Sequence, residues 1–198
     1  ELRGLGYKDV KEIPLLVDID AIKTREWDES VVEESAGIYT ILFVGRIAPN
    51  KCQEDLVIIA RYLKTMLSRP FQLILVGGYS KMDAYYRKLS ARIKSAGLED
   101  CVRFTGKISD SKLYAWYRAA DLFLSMSEHE GFGVPLIEAM AFDVPVVAYK
   151  SSNIPYTMGK AGVLITKKDH SSIAAFIKIL FRDRPMKRAL VSQQKKHV

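Results

Sequence analysis

Two glutamates eight residues apart frame the segment EGFGVPLIE, Glu130 to Glu138. Gly131 and Gly133 allow backbone angles that other residues avoid and let a ligand come close to the main chain. Pro135 suits the first turn of a helix. The segment therefore predicts a strand-to-helix turn whose free N–H groups, around Phe132, Gly133 and Val134, meet an anion at the positive helix end. Glu138 falls about one turn into that helix, where a carboxylate can accept two hydroxyls, as a ribose diol requires. A corner with two surface glutamates is the plainer reading. Carboxylates bracketing a Gly-Pro helix start favour the ligand site instead. Eight residues of sequence do not make a hydrolase carboxylate pair, because the separation that matters there is through space.

Three further turns follow strand-like runs. GRIAPNK, Gly45 to Lys51, carries Arg46 and Lys51. Arginine holds a diphosphate bidentately and lysine as a point charge, although an isolated pair reads more readily as two solvated surface cations. VGGY, Val76 to Tyr79, lets the main chain approach a ligand at Gly78. With neither GxGxxG nor GxxxxGK[ST], it argues against a dehydrogenase-type dinucleotide site and a P-loop. In VRFTGKIS, Val102 to Ser109, exposed backbone after Gly106 can pair with a flat base edge, and Ile108 can cover its face. Together these groups fit a base, a diol, a diphosphate and an attached polyol, which is a nucleotide-sugar.

The elements that must position them are legible in the apolar pattern. Runs at 13–17, 39–45, 71–77, 102–105, 121–125, 144–149 and 162–165 read as strands, apolar almost throughout. Strands of that kind are buried on both faces, as in a parallel sheet. Helical spacing recurs at 54–67 and 83–96, with Gly97 as a stop. Ser109-Asp110-Ser111 can cap a third helix running through Ala120, and Ser171-Ser172 a fourth. Pro185 opens a last, basic helix. Residues 18–37, acidic and polar, read as loop or surface helix. The alternation predicts an α/β fold: a Rossmann-like, doubly wound parallel sheet with helices on both faces, forming one domain over 1–198. Ligands bind such sheets at the carboxyl ends of the strands.

Composition narrows the class. With 198 residues, 48% hydrophobic and 27% charged, the chain can bury a substantial core, which excludes disordered, collagenous and coiled-coil readings. No apolar run approaches the roughly 20 residues of a membrane span. The start, ELRGLGYKDVKEIP, lacks a signal-peptide plan. The net charge of +7 is uneven: residues 1–40 carry −5, 41–149 carry +3 and 150–198 carry +9. Nucleic acid, an anionic membrane face and a phosphate-bearing small molecule all suit such a tail, as does plain solvation. Cys52 and Cys101 form no framework and read as free thiols of a reducing, cytoplasmic compartment. His129, His170 and His197 lack ligand spacing, so no metal site is expected.

The motifs resemble those of the large retaining "group 1", or family 4, glycosyltransferases of GT-B fold, in particular their C-terminal half. The resemblance covers nearly the whole chain. IPLLVD at 13–18 resembles the family's IPNGVD, with Leu15-Leu16 in place of Asn-Gly. GRIAPNK resembles its GR…K loop, with Cys52 where a small residue is common. VGGY, VRFTGKIS, the Tyr117–Asp121 run and EGFGVPLIEAMAFDVPVVA follow in the family's order. In SSNIPYTMG, Tyr156 stands where the family usually has glutamate.

The resemblance implies a donor site. Arg46 and Lys51 would hold the diphosphate and stabilise the leaving group, Glu130 would contact the donor sugar near the reacting carbon, and Glu138 would bind the ribose. The backbone of Phe132, Gly133 and Val134 would meet sugar hydroxyls and phosphate, with Gly45 and Gly78 at their turns, and Ile108 would lie at the base. It further implies a UDP-, GDP- or ADP-sugar donor, retention, no metal cofactor, and a glycan or lipid-linked acceptor bound by an N-terminal domain that this sequence lacks. The expectation is a cytoplasmic enzyme, peripheral on a membrane where an anionic face attracts the basic tail. A non-catalytic nucleotide-binding module or a GT-B-like epimerase or phosphorylase domain would share the sheet. A nucleic-acid role is not expected, for want of aromatic interleaving.

Overall fold

A computed structural model describes residues 2–9 and 17–198. The strand expected at 13–17 lies, but for Val17, outside the described residues. Among the described residues there are six strands: β1 (Tyr39–Val44), β2 (Phe71–Val76), β3 (Val102–Gly106), β4 (Leu122–Ser125), β5 (Val146–Tyr149) and β6 (Val163–Ile165). All neighbouring pairs are parallel, in the order β3-β2-β1-β4-β5-β6. The strand order reverses between β1 and β4, and that is where an open α/β sheet opens a crevice.

Helices cover both faces: α1 (Ile19–Thr24), α2 (Glu29–Glu34), α3 (Gln53–Met66), α4 (Ala84–Ser95), α5 (Asp110–Ala119), α6 (Val134–Ala141), α7 (Ile154–Met158), α8 (His170–Arg182) and α9 (Arg184–Lys195). Strand side chains alternate between two cores, as the period of two requires. Ile41, Phe43, Leu73, Leu75, Leu122 and Leu124 meet α3, α4 and α8 on one face. Leu42, Ile74, Val76 and Phe123 meet α5, α6 and α7 on the other. Both faces are apolar, so the strand runs lack the polar alternation of a half-exposed sheet.

The termini of the helices follow local chemistry. Ser109 caps α5 and Asp83 caps α4, each side chain accepting a backbone N–H of the first turn. Helix α4 stops at Ala96, and Gly97 turns with φ +62°. One expectation is corrected. The cap of α8 is Asp169, whose carboxylate accepts from Ser172 N, while the Ser171 and Ser172 hydroxyls donate to it. A carboxylate with three donors outcompetes a hydroxyl, and these bonds hold the Asp169 carboxyl down to about 2. Residues 18–37 form two short helices, each capped by an aspartate, Asp18 and Asp28.

Candidate functional site

The loops after β1, β2 and β3 are tied to one another through main chain. Gly45 N donates to Val76 O at 2.8 Å, Gly77 N to Gly106 O at 3.0 Å and Ile47 N to Gly78 O at 3.1 Å. Gly77 is the tight point. Its φ is +146°, and a Cβ there would sit 2.1 Å from Gly45 O, which is backbone and cannot yield. Gly78, the glycine singled out in the sequence, would meet only the flexible Lys107 side chain. A cleft of about 740 Å³ opens above, lined among others by Arg46, Gly78, Tyr79, Gly106 and Lys107. Arg46 is exposed, and its carbonyl is held by the buried Gln53 side chain at 2.9 Å. Two cations, Arg46 and Lys107, thus line one cleft.

Across the switch point, the β1 and β4 loops are joined by Lys51. Its Nζ lies 2.6 Å from Glu130 Oε2 and donates to His129 O at 3.2 Å. Glu128 N donates to Asn50 O at 3.0 Å, closing the same seam. Lys168 braces it from behind, pairing with both Asp55 and Glu128 at 2.8 and 2.9 Å. Burial works against the Lys168 charge, but these carboxylates hold its ammonium above the usual lysine range. Cys52 follows Lys51 in the left-handed region at φ 51°, and burial pushes its thiol up.

The EGFG turn is held by its carbonyls. Ser152 Oγ donates to Glu130 O at 3.0 Å, Asn153 Nδ2 to Gly131 O at 2.7 Å, and Thr157 Oγ1 to Phe132 O. Gly133, with φ +78°, caps α6 without a side-chain bond, and Pro135 occupies the first turn. The Phe132, Gly133 and Val134 N–H groups have no acceptor among the described residues. Carbonyls restrained and N–H groups free at a helix start make an anion-binding concavity.

Glu138 sits on α6, where its Oε2 accepts from the Tyr117 hydroxyl of α5 at 2.7 Å. Burial pushes its carboxyl above the ordinary value, and the Tyr117 bond only partly opposes this. Burial, with Glu138 beside it, pushes the Tyr117 hydroxyl well up, so it remains a donor. Ile108 is half-buried against the same α5–α6 core. The structure therefore brings Lys51 and Glu130 into contact and lines a cleft with Arg46 and Gly78. Glu138 and Ile108 lie on the α5–α6 side. Among the described residues no group of three or more His, Cys, Asp and Glu side chains could hold a metal ion.

Residues 25–197 match the family model for glycosyl transferases group 1. The chain belongs to that family. Among curated members it is 32% identical over 174 residues to D-inositol 3-phosphate glycosyltransferase 2 of Catenulispora acidiphila, covering 81% of this chain and 40% of that protein. It is 31% identical over 136 residues to O-antigen chain mannosyltransferase B of Escherichia coli, covering 69% and 35%. The chain thus spans about two fifths of the length of such relatives. Among solved structures, the C-terminal domain of the group 1 family protein LpcC of Francisella tularensis aligns with a TM-score of 0.75 and 26% identity, over 92% of this chain and 96% of that one. Anabaena HepE, solved with UDP-glucose, aligns at 0.73 and 23% identity, over 88% and 49%, a likeness of fold. The fold is the Rossmann-like α/β fold of GT-B glycosyltransferase domains.

Several residues of this group 1 site escaped the sequence reading. Ser152, Asn153 and Thr157 were visible only as a polar cluster in SSNIPYTMG. Tyr156, the departure from the family pattern in that segment, is 72% exposed, while its neighbours fix the turn. Tyr117 entered the sequence reading only through the Tyr117–Asp121 run, and Lys107 only as part of VRFTGKIS.

Proposed function

We propose that this chain is the donor-binding half of a glycosyltransferase that moves a sugar, with retention, from a nucleoside diphosphate to a glycan or lipid-linked acceptor. The acceptor would be bound by a separate N-terminal domain. The observation that carries the reading is the switch-point arrangement: restrained EGFG carbonyls and free N–H groups, with Lys51 and Glu130 in contact beside them. The diphosphate is assigned to Arg46, Lys51 and the Phe132–Val134 amides, the ribose to Glu138, the base to the Ile108 backbone, and the donor sugar to Glu130. As the sugar–phosphate bond breaks, negative charge grows on the leaving diphosphate, and fixed cations and N–H groups stabilise it without reorganising. The reading gives this work to side chains and main chain, not to a metal ion.

A cytoplasmic setting at an anionic membrane face belongs to the same proposal. No helix among the described residues is long and apolar enough to cross a membrane. Support for apposition comes from α9, where Arg184, Lys187, Arg188 and Lys195 line one groove. Lys187 and Lys195 are already paired with Asp121 and Asp143, which weakens that support.

The test is a thermal-shift screen of the chain with UDP, GDP, ADP and their sugars. A ligand that binds only the folded state stabilises it by about 2.7 kcal/mol at a hundredfold excess over Kd. One base should shift the melting temperature, and Arg46→Ala should abolish the shift. No shift with any nucleotide would overturn the reading.

A further inference from the structure

The contact between Lys51 and Glu130 raises a question that the donor-site reading leaves open. A cation assigned to the diphosphate is occupied by a carboxylate 2.6 Å away, and both side chains are less than one fifth exposed. A buried pair of this kind is weakly screened by salt. Any diphosphate reaching Lys51 must meet the Glu130 charge at close range. Like charges at such distances oppose one another strongly where water is sparse.

The two ligands of the site differ in what they offer Glu130. An intact nucleotide-sugar brings hydroxyl donors next to the carboxylate, and these can satisfy it while Lys51 turns to phosphate. A free nucleoside diphosphate brings no donor there. It also carries an additional negative charge on its terminal phosphate, where the sugar was attached. The main chain that carries Glu130 is fixed as well, because Ser152 holds its carbonyl and Lys51 holds that of His129.

We propose that Glu130 discriminates electrostatically between the intact donor and the free nucleoside diphosphate, repelling the latter and so limiting its retention after transfer. This rests on the donor-site reading above and adds to it a specificity role for the Lys51–Glu130 pair. The carboxylate selects by which partner it can exchange for Lys51: sugar hydroxyls compensate it and a terminal phosphate does not.

The experiment measures, by calorimetry on the 198-residue chain, the Kd of UDP, GDP or ADP and of the matching nucleotide-sugar. Wild type is compared with Glu130→Gln, which keeps the shape and removes the charge, and with Glu130→Ala. The free diphosphate should bind at least fivefold tighter to both variants, while the sugar nucleotide gains nothing or weakens. The ratio of the two constants should therefore move by about fivefold or more. Diphosphate binding that is unchanged or weaker in the variants overturns the proposal. If that happens while Arg46→Ala still abolishes binding, the donor site stands and only the discrimination falls. If neither wild type nor variants bind any nucleotide, both fall together.

Discussion

The two edges of the sheet are built on opposite plans. At the carboxyl edge, loops after β1 and β4 leave N–H groups, cations and carboxylates facing a crevice. At the amino edge, by contrast, polar groups of three strands are paired or covered. The buried Gln194 of α9 donates to Val144 O at 2.7 Å and accepts from Val146 N at 3.0 Å. Asp121 exchanges bonds with the Thr40 backbone and pairs with Lys187 at 3.0 Å. Tyr39 stacks on Phe181 with ring centroids 4.3 Å apart. Six-residue strands separate these edges by about 20 Å. The lesson is that residues of similar polarity do different work by position. Gln194 stabilises by being satisfied, whereas the Arg46 side chain and the Phe132–Val134 amides have no partner among the described residues. The basic face of α9 also lies by the closed edge, so a membrane gripping it would face away from the crevice.

Three substitutions sharpen this contrast. Gly77→Ala should have the largest effect, because its methyl overlaps the Gly45 carbonyl and the residue must hold a left-handed φ. Overpacking and backbone strain together imply a loss on the order of 4 kcal/mol, read as a urea midpoint. A normal midpoint would show that the three-loop junction is not rigid.

Gln194→Leu comes next. It leaves Val146 N–H and Val144 C=O buried and unpaired, for about 3 kcal/mol in total. The contrast requires that nucleoside diphosphate affinity stay unchanged in the folded variant. A parallel loss of affinity would mean that the two edges are coupled.

Glu138→Gln is the smallest. It keeps the Tyr117 hydrogen bond but removes a buried charge. Nucleotide affinity should fall about tenfold, about 1.4 kcal/mol. Stability should move the other way. The folded-state carboxyl is raised above its unfolded value, so its ionisation disfavours the native state at neutral pH, and that penalty vanishes as pH falls below the unfolded value. The variant should therefore melt slightly higher than wild type at pH 7, with the gap closing toward pH 4. A gap that widens on acidification would mean that the carboxylate, not its burial, stabilises this corner.

Much of this molecule was legible because its signals are local. Strand runs such as TILFVG and QLILVG are apolar on both faces, and only a sheet covered on both sides buries them. The Gly-Pro start of α6 announced its turn, since Gly133 needs a positive φ and Pro135 fits the first helical turn. The cap of α8 was misassigned by two residues because Asp169 and the serines compete for one helix end, and the choice is geometric. Glu130 and Lys51 were each visible as residue types, but they stand 79 positions apart, and no spacing rule joins them.

The sequence by itself determined the elements, their alternation, the parallel sheet and the residue types at its carboxyl edge, because hydrophobic period and turn chemistry are written within a few residues. Tertiary structure alone decided which charges meet. It put Lys51 on Glu130, Tyr117 on Glu138, three side chains of the β5–α7 segment on the EGFG carbonyls, and Gln194 on the far edge. Those contacts depend on the strand order that brings β1 beside β4, and long-range pairing of that kind leaves no periodic trace in a single chain.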